Sequence, residues 1–562
     1  MRKLFPVCLP ILLVCLATTV PAQSNKAQGG GSFMVQCPTS TVWHPGSSVL
    51  GYDPTQQEGS YTGPKTVTET VNGVSLPYTL NGGAIKCQEI SGGDGFMTEA
   101  DGNQTFMFSF GPLSGMDAIK HGQPGTQFAS VFNNHYNSPT LPSSPNSRNP
   151  TYDPSRPVSL NGAVADPAAI MTIGVLNGNL PMPLAAFDED DEFFLTLSNV
   201  GMIMRPDLFE QHTVHFHGYP NASSFYDGVP DATWAINIGG SATYYYMAPD
   251  AGTYFYHCHI TPPEHLQMGM VGQLYVRPRQ NRVPVGTSLY SSLELQQTDL
   301  RTACNTGLAG QTAKDILCST PLPGVNNGAI QQVDPFAGVD PRIPAGTPYK
   351  YAYNDGDAST RYDIDVPIQI HGFDPNFHFV GMTFNPEGFA DMKDKYFLLN
   401  GRSYPDTVGV PGYAGGPSAG SSNPDSASRA IGTEDSDGLT RYSQPLPSLI
   451  TLIQGERALL RLSDLDVTEY QTLASLGIPM QLVGFQAKLL RDQAGNNLPI
   501  VTNSVTLGGG ESLDVILDST GVAPGTYFLY TPNLDHLSND AENFGGLMTE
   551  VQVCASASAC TF

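Results

Sequence analysis

The chain has 562 residues, and its 51 acidic and 26 basic side chains give a formal net charge of −25. This charge argues against nucleic acids and anionic membrane surfaces as partners and permits cationic ones. Glycine and proline are frequent (59 and 46 residues) and charged residues make up only 14%. This composition favours short strands joined by many turns and so predicts an all-β fold.

Residues 1–22 have the pattern of a secretory signal. Arg2 and Lys3 precede the apolar run LFPVCLPILLVCLATTV, and the segment ends at Val20-Pro21-Ala22, which resembles an A-x-A cleavage site. No later run approaches the roughly eighteen apolar residues of a membrane span. We therefore expect a secreted or periplasmic protein without a membrane span, with about 540 residues in two to four domains.

Export also implies an oxidising compartment, in which disulfides persist. Two of the nine cysteines, Cys8 and Cys15, would leave with the signal, and the remaining seven are an odd number. The natural pairs are Cys37–Cys87, Cys304–Cys318 and Cys554–Cys560. This pairing leaves Cys258 free, although six cysteines allow fifteen connectivities.

Residues 23–164 are predicted to be a loop-rich extension that packs on the first domain. Residues 23–100 are rich in Gly, Ser, Thr and Pro, which predicts loops and short strands. The strand-like TFMFSFG (105–111) can add to the sheet of that domain, whereas residues 112–165 have the composition of a long irregular loop.

An acidic run, Asp188-Glu-Asp-Asp-Glu192, lies within the next domain, 165–280. Hard cations such as Mn(II) and Fe(II) prefer carboxylate ligands, so the run could attract them. Such runs are usually solvated turns, however, and a solvated turn is our prediction.

Two histidine motifs follow in this domain, QHTVHFHG (211–218) and GTYFYHCHITPPEHLQMGM (252–270). Successive side chains of a strand point to opposite faces. In the first motif His215 and His217 therefore share one face, and His212 points to the other.

In the second motif His257 and His259 share a face and Cys258 takes the opposite one. If the two strands pack together, Cys258 joins His212, and the four other histidines form a second group behind them. His265 and Met270 follow in a loop flanked by prolines and a glycine.

One thiolate, two imidazoles and a weak axial thioether form the ligand set of a blue copper site. Zinc would prefer four strong ligands without a thioether. The alternative is a set of buried structural histidines with Cys258 in a disulfide, but His257 and His259 would be costly to satisfy in an apolar interior. The four-histidine group suggests copper at an interface where another domain adds ligands; a vestigial or zinc-loaded patch is the alternative.

The rest of the chain consists of a connector, 281–345, and a second domain, 346–562, and it repeats the first domain in part. LNGNLPMP, DEFFLTLSNV and AGTYFYHCH recur in the same order as LNGRSYPD, ERALLRLSDL and PGTYFLYTP. Self-similarity of this kind indicates two related units. Their alternating and apolar segments predict two Greek-key β-sandwiches.

At these residues the chain resembles the multicopper oxidases. TVHFHG and GTYFYHCHI followed by HxxxxM resemble the copper motifs of that family, and DGVPDATWAINIGG (227–240) and LNGRSYPDT (399–407) resemble its cupredoxin domains. The group it resembles most is bacterial, with two cupredoxin domains, and is related to manganese- and iron-associated and laccase-like members. The resemblance covers about 165–280 strongly and 346–556 more diffusely.

The resemblance implies a copper-dependent oxidoreductase. A type 1 copper would oxidise a phenolic or low-valent metal substrate (Mn(II), Fe(II)), and electrons would cross from Cys258 to its neighbours, so that dioxygen is reduced to water at a type 2/type 3 copper cluster. The implied ligands of the type 1 copper are His212, Cys258, His265 and Met270. The implied ligands of the cluster are His215, His217, His257 and His259.

The sequence departs from the family pattern in its second unit. The family's cluster takes eight histidines from two domains, but the segment aligned with the first motif reads QTLASLG (471–477), and Tyr530-Thr531-Pro532 replaces His257-Cys258-His259. The second domain is therefore predicted to be copper-free. We infer that a symmetric homodimer of first domains, or a complementary copper protein, completes the cluster.

Other functions remain open at this point. A type 1 copper electron-transfer protein without oxidase activity needs only the Cys258 group. A copper nitrite reductase-like enzyme would carry an aspartate at the position of His215 and has no need of His259. A structural surface protein with a relic site would bind no copper at Cys258.

Several further residues have individual predictions. Glu264, beside His265, is a candidate for steering substrate to the type 1 site. Met268 is expected to pack, because Met270 has the better axial spacing. The remaining histidines of interest are predicted to be structural, and these are His44, His121, His135, His371, His378 and His536.

Overall fold

The computed structural model describes residues 36–71, 74–101, 103–115, 118–119, 122–133, 180–218, 224–248, 250–296, 321–382, 388–408 and 448–560. The predicted signal segment, the Cys304–Cys318 pair, His121 and His135 lie outside these residues. Within the described ranges, no helix is long and apolar enough to cross a bilayer.

The first β-sandwich follows an isolated hairpin of β1 (Lys65–Val71) and β2 (Val74–Leu80). Its strands are β3 (Ile85–Thr98), β4 (Gln104–Pro112), β5 (Gln127–Phe128), β6 (Met182–Asp188), β7 (Glu192–Gly201), β8 (His215–Phe216), β9 (Ser241–Met247), β10 (Gly252–His257) and β11 (Val271–Arg277). One sheet has the order β4-β3-β7-β9 with β5 beside β3, and the other has the order β6-β11-β10-β8. Apolar side chains of both sheets meet in one buried core.

The second β-sandwich follows a two-stranded ribbon of β12 (Lys350–Tyr351) and β13 (Arg361–Tyr362). Its strands are β14 (Ile364–Phe373), β15 (Tyr396–Leu399), β16 (Ile450–Ile453), β17 (Arg457–Asp464), β18 (Gln471–Leu476), β19 (Met480–Phe485), β20 (Lys488–Leu489), β21 (Ile500–Thr502), β22 (Ser504–Leu507), β23 (Glu511–Asp518), β24 (Gly525–Tyr530) and β25 (Met548–Cys554). The sheet orders are β15-β14-β17-β23-β19-β20, with β21 beside β19, and β16-β25-β24-β18-β22.

Helices are short and lie between strands. The α-helices are α1 (Ser47–Leu50), α2 (Ala129–Phe132), α3 (Pro262–Gln267), α4 (Leu289–Gln296) and α5 (Pro375–Met382). The 3-10 helices are Ser224–Tyr226, Arg279–Arg282, Phe389–Asp391, Asp406–Val408, Leu534–His536 and Ala557–Ala559. The all-β prediction is confirmed, since the sheets carry both cores.

The two sandwiches share one pattern of strand pairing, as the internal repeat predicts. Strand β3 runs parallel to β7 as β14 does to β17, and β6 runs parallel to β11 as β16 does to β25. Strand β10 pairs with β8 and β11, as β24 pairs with β18 and β25. The predicted segment 105–111 lies in β4.

The region before residue 100 needs a correction, because it contributes more than loops and short strands. Strand β3 has 14 residues and lies at the centre of the first sandwich, between β4 and β7. Its side chains are mostly buried although many are polar, including Gln88, Glu89 and Asp94. The disulfide Cys37–Cys87 ties the chain before the sandwich to this strand, and Cys554–Cys560 closes the last strand, so both predicted pairs are confirmed.

The acidic run was predicted to be a solvated turn, and this prediction is wrong. All five of its side chains are buried. The Asp188 carboxylate lies 2.7 Å from the Arg277 guanidinium, and Asp190 lies 2.7 Å from Arg279. The run is buried because basic residues at the end of β11 and directly after it neutralise Asp188 and Asp190, which offsets the desolvation cost.

A buried polar interface joins the two sandwiches. The Gln273 amide donates to the Arg461 carbonyl at 2.7 Å and to the Ser463 hydroxyl at 2.9 Å. The Thr253 hydroxyl donates to Asp514 at 2.6 Å. Met97, Phe255 and Phe373 belong to an apolar cluster that residues of both units form. The second unit is thereby held against the histidine-bearing strands of the first.

Candidate metal centre

His212 enters the site from the segment before β8. Its backbone forms an isolated antiparallel bridge with Ile236, with N–H···O distances of 3.1 and 2.9 Å, and its ring packs against β3 and against Phe110 of β4. The side chain is fully buried. The β4-β3-β7-β9 sheet and the bridge to Ile236 thus hold the His212 ring in position.

Cys258 and His265 meet His212 on the inner side of the sandwich. The Cys258 sulfur lies 3.2 Å from Nδ1 of His265 and 3.9 Å from Nδ1 of His212. The backbone N–H of Thr213 also points at this sulfur, at 3.5 Å. All three predicted ligand side chains are buried, and the structure offers one donor atom from each within 4.8 Å of the others.

Met270, the predicted axial ligand, is joined to this group through its backbone. Its carbonyl accepts a hydrogen bond from the Cys258 N–H at 3.1 Å, and its own N–H donates to the His265 carbonyl at 2.8 Å. Met268 and Met270 are both fully buried in the core that contains Cys258. Cys258 is the free cysteine among the described residues.

Burial and the neighbouring charges shift the pKa values of the two imidazoles in opposite directions. Burial and the neighbouring His265 lower the pKa of His212 well below its usual value, so His212 is neutral. Burial alone would also lower the pKa of His265, but the charge of Cys258 and hydrogen bonds to Cys258 and Glu210 raise it to about 10. His212 is thus neutral, and His265 carries a proton beside the Cys258 sulfur. A soft or borderline metal ion would displace that proton and bind the two imidazole nitrogens and the sulfur.

The carboxylate in contact with His265 belongs to Glu210. Its Oε2 lies 3.4 Å from His265 Nε2, and the Glu210 side chain is 24% exposed. Glu264 lies in the first turn of α3 and is half-buried. Sequence reasoning missed Glu210, although its position two residues before His212 was a signal that it would lie close to the site.

The other four histidines gather on the opposite face, as the strand alternation predicts. His215 and His257 are directly paired across β8 and β10. The ring centroids of His215 lie 4.9, 5.3 and 5.0 Å from those of His217, His257 and His259. His217 and His257 face each other with their Nε2 atoms 2.9 Å apart. His257 is buried, and the other three rings are partly exposed.

Backbone carbonyls orient two of these rings. Nδ1 of His215 lies 2.6 Å from the Asp227 carbonyl oxygen, and Nδ1 of His257 lies 2.6 Å from the Cys258 carbonyl oxygen. Such contacts fix the tautomer and leave Nε2 with a lone pair for a metal ion. Burial and the neighbouring histidines lower the pKa of His217 to about 4, which keeps this ring neutral as well.

The second unit has no comparable group at the equivalent positions. Ala474 pairs with Tyr530 where His215 pairs with His257, which is the alignment that the sequence predicts. At the position equivalent to His212, the Gln471 Oε1 lies 2.9 Å from Nδ1 of His536, whose Nε2 faces Glu469 at 2.9 Å. A hydrogen-bonded side-chain cluster fills this place.

The remaining histidines have structural surroundings. His44 is buried with Nδ1 2.6 Å from Glu192. His371 lies on β14 with Nδ1 3.1 Å from the Leu465 carbonyl oxygen, and His378 on α5 lies 2.9 Å from that of Gln267. None of them belongs to the ligand groups that the described residues form.

A cavity of about 510 Å³ lies between the four-histidine group and the second unit. His217 and His257 line one side of it, together with Pro262 and Leu266 of α3. The opposite wall is acidic and comes from the second unit. It includes Asp466, Glu469, Tyr470 and Glu511. The wall that faces these histidines within the same chain therefore offers carboxylates rather than imidazoles.

Fold and site together define a protein of the cupredoxin class. A β-sandwich places one thiol sulfur and two imidazole nitrogens on the inner side of two packed sheets, with four more imidazoles behind them. Residues 162–281 match the family model described as "Multicopper oxidase". The match covers the unit that contains every predicted ligand.

Fungal proteins are similar to about a fifth of the chain. The chain is 35% identical over 119 residues to multicopper oxidase MCE of Talaromyces pinophilus, covering 21% of this chain and 18% of that protein. It is 32% identical over 128 residues to laccase abr2 of Aspergillus fumigatus, covering 22% and 20%. The chain thus spans about a fifth of the length of the curated relatives it matches. Among solved structures, a blue copper oxidase from Nitrosomonas europaea is 17% identical, with 83% of this chain and 85% of that one covered and a TM-score of 0.44.

Proposed function

We propose that the protein is a secreted or periplasmic, laccase-like copper oxidoreductase. It takes single electrons from a phenolic compound or from Mn(II) or Fe(II), and it passes them to dioxygen. The observation that carries this proposal is the arrangement of two ligand groups back to back, joined by the tripeptide His257-Cys258-His259.

The donor atoms of the first group fit a type 1 copper. His212, Cys258 and His265 offer two Nδ1 atoms and one sulfur on a buried, preformed site, and Met270 would supply the weak axial thioether. Copper bound there supplies reversible one-electron chemistry. The sandwich contributes a fixed geometry and the exclusion of water.

His215, His217, His257 and His259 would hold copper of the type 2/type 3 kind. Because Cys258 is bonded through the backbone to both His257 and His259, the two groups have a short covalent connection. Oriented, neutral imidazoles meet the requirement for copper ligands. Four histidines are half of the family's set, so a second chain must supply the rest.

We propose that a symmetric homodimer brings two such groups together, because a two-fold axis pairs a surface with itself. Three of the four rings are partly exposed, and the second unit of the same chain offers no imidazole at the equivalent positions. A complementary copper protein that presents four histidines would serve the same purpose.

The experiment that tests this proposal is a copper count on purified, copper-loaded protein, with optical and EPR spectra and the mass in solution. About five copper ions per pair of chains, one at each Cys258 and about three shared, with a near-ultraviolet type 3 band, are expected. The matched variant Cys258→Ser should lose the visible thiolate-to-copper band and keep the near-ultraviolet one.

The second candidate is a type 1 electron-transfer protein, and the acidic wall opposite His217 and His257 favours it over a cluster completed within one chain. About one copper ion per chain, with only the thiolate-to-copper band, would establish this alternative. Nitrite reduction instead of dioxygen reduction by the loaded protein would establish the copper nitrite reductase-like reading.

Glu210 supplies a prediction about the reducing substrate. Its carboxylate lies between His265 and solvent, where it can accept a proton or hold a cation next to the imidazole edge. Glu210→Gln should raise KM for Mn(II) or Fe(II) about tenfold, the equivalent of one lost charge contact of about 1.4 kcal/mol, and leave the visible spectrum unchanged. Glu264→Gln is the matched control, and an equal effect of both variants on KM would contradict the assignment to Glu210.

A further inference from the structure

The loop that carries His265 and Met270 has little support of its own. Helix α3 has six residues, and Thr261 before it has a left-handed backbone conformation with φ of 38° and no side-chain cap. Isolated helices of this length are unstable because so few hydrogen bonds offset the cost of nucleation. Contacts from outside the loop therefore add to the backbone hydrogen bonds that Met270 makes with Cys258 and His265.

Gln267 connects this loop to the second unit, into which its side chain points. Its Nε2 donates to Asp394 Oδ1 at 2.9 Å, and its Oε1 accepts from the Asp374 N–H at 3.0 Å. Its backbone carbonyl oxygen lies 2.9 Å from Nε2 of His378. Gln267 is fully buried, and the three second-unit residues are buried as well. The side-chain amide and the backbone carbonyl of Gln267 thus both contact the second unit.

Asp394 is in turn fixed by its own unit. Its Oδ2 accepts a hydrogen bond from the Thr468 hydroxyl, and the backbone N–H of Thr468 donates to Asp466 at 2.8 Å. Asp466 also accepts from the Gln471 amide at 2.7 Å. The chain of contacts continues from Gln471 to His536, which occupies the place equivalent to the first unit's site.

We infer that the copper-free second unit positions the type 1 ligands of the first, with Gln267 and Asp394 as the positioning residues. This inference rests on the proposed function, because it assigns a role toward the copper at Cys258. Gln267 lies two residues from His265 and three from Met270, so a shift of its amide moves both. The second unit is then part of the redox site although it supplies no ligand.

The structure offers a matched control in Gln273. This glutamine is also fully buried in the first unit and also donates its amide across the interface, to the Arg461 carbonyl at 2.7 Å. It lies on β11 rather than on the loop. Gln267→Met and Gln273→Met make the same chemical change at the same interface. Gln273 follows Met270 by three residues but His265 by eight, so only Gln267→Met removes support from the helix that carries His265.

The test compares these two variants with the wild-type protein by copper titration, visible absorption, EPR and the reduction potential of the type 1 site. Gln267→Met should bind this copper about tenfold more weakly and shift the thiolate-to-copper band and the potential, as loss of an outer contact does at other metal sites. Gln273→Met should lower thermal stability and leave all three signatures unchanged.

A second pair of variants covers the case in which Gln267→Met does not fold. Asp394→Leu removes the acceptor for the Gln267 amide. Asp394→Asn keeps a carbonyl oxygen at this position, so this variant should have the wild-type spectrum and potential. Unchanged spectra in Gln267→Met and Asp394→Leu, or equal shifts in Gln273→Met, would overturn the inference. Absence of the visible band from the wild-type protein would instead refute the proposed function.

Discussion

Glu99 shows what burial does to a single ionisable group in this fold. Its side chain is fully buried at the end of β3, and burial raises its pKa to about 8, with the charges of Asp101 and Asp406 acting in the same direction against a hydrogen bond from Thr105. An unfolded glutamate ionises near its ordinary value, about 4.3. Between these two values the folded protein holds a proton that the unfolded chain has released.

This difference gives a pH dependence with a definite sign. Stability should fall as pH rises from about 5 to about 8, by up to about 1.4 kcal/mol per pH unit from Glu99, because the unfolded state binds fewer protons there. Glu99→Gln should remove that part of the fall, so that the variant gains on the wild type as pH rises. Denaturant unfolding at the two pH values measures this. Glu294→Gln, at an exposed position, should show the same change of unfolding free energy with pH as the wild type. The prediction would be contradicted if Glu99→Gln also showed the wild-type change.

At the scale of the element, β3 decides the geometry of the candidate copper site. Gly92 on this strand lies against the ring of His212, and a Cβ atom there would come within 2.5 Å of His212 Cδ2. The absence of a side chain at this position therefore allows the His212 ring to lie against β3, with Nδ1 3.9 Å from the Cys258 sulfur. Strand β3, which the sequence predicted only as loops and short strands, thus determines the position of the His212 ring.

Gly92→Ala should push the His212 ring away from Cys258. We expect the visible thiolate-to-copper band to be weakened or lost and copper to bind about tenfold or more weakly, since displaced ligands lose geometry that the sandwich otherwise fixes. Gly484→Ala is the control, because its Cβ would meet Tyr353 in the second unit, far from any predicted ligand. It should cost stability and leave the spectrum intact; a normal spectrum for Gly92→Ala would show that the ring has room to adjust.

The molecule as a whole carries a net charge of −25, and this field acts on any charged substrate that approaches it. A negatively charged surface raises the association rate of cations, and salt weakens the effect by shortening the Debye length from about 30 Å at 0.01 M to about 8 Å at 0.15 M. The dependence of the oxidation rate on ionic strength therefore distinguishes a metal-ion reductant from a neutral phenol.

If Mn(II) or Fe(II) is the reductant, kcat/KM should fall severalfold across this range of ionic strength. A neutral phenol, which the field does not steer, should give a value that changes little over the same range. Steady-state oxidation rates at several salt concentrations measure both. Equal salt dependence for the two substrates would mean that electrostatic attraction of the metal ion to the protein does not limit the reaction.

The sequence by itself determined the all-β class, the internal repeat and the division of six of the eight predicted ligands between two faces. These follow from local rules, because side chains alternate along a strand and the motifs are short. It also determined that the second unit lacks the histidine set, since Ala474 and Tyr530 can be aligned by the repeat alone.

Only the tertiary structure decided which distant residues support the site. Strand β3 pairs with β7 about a hundred residues later in the chain, and its polar, glycine-containing sequence gives no strong local signal. The acidic run is buried because arginines near residue 280 neutralise it, and Glu210 and Asp394 reach the His265 loop from separate segments. Such contacts depend on packing between elements, and no periodicity within one element encodes them.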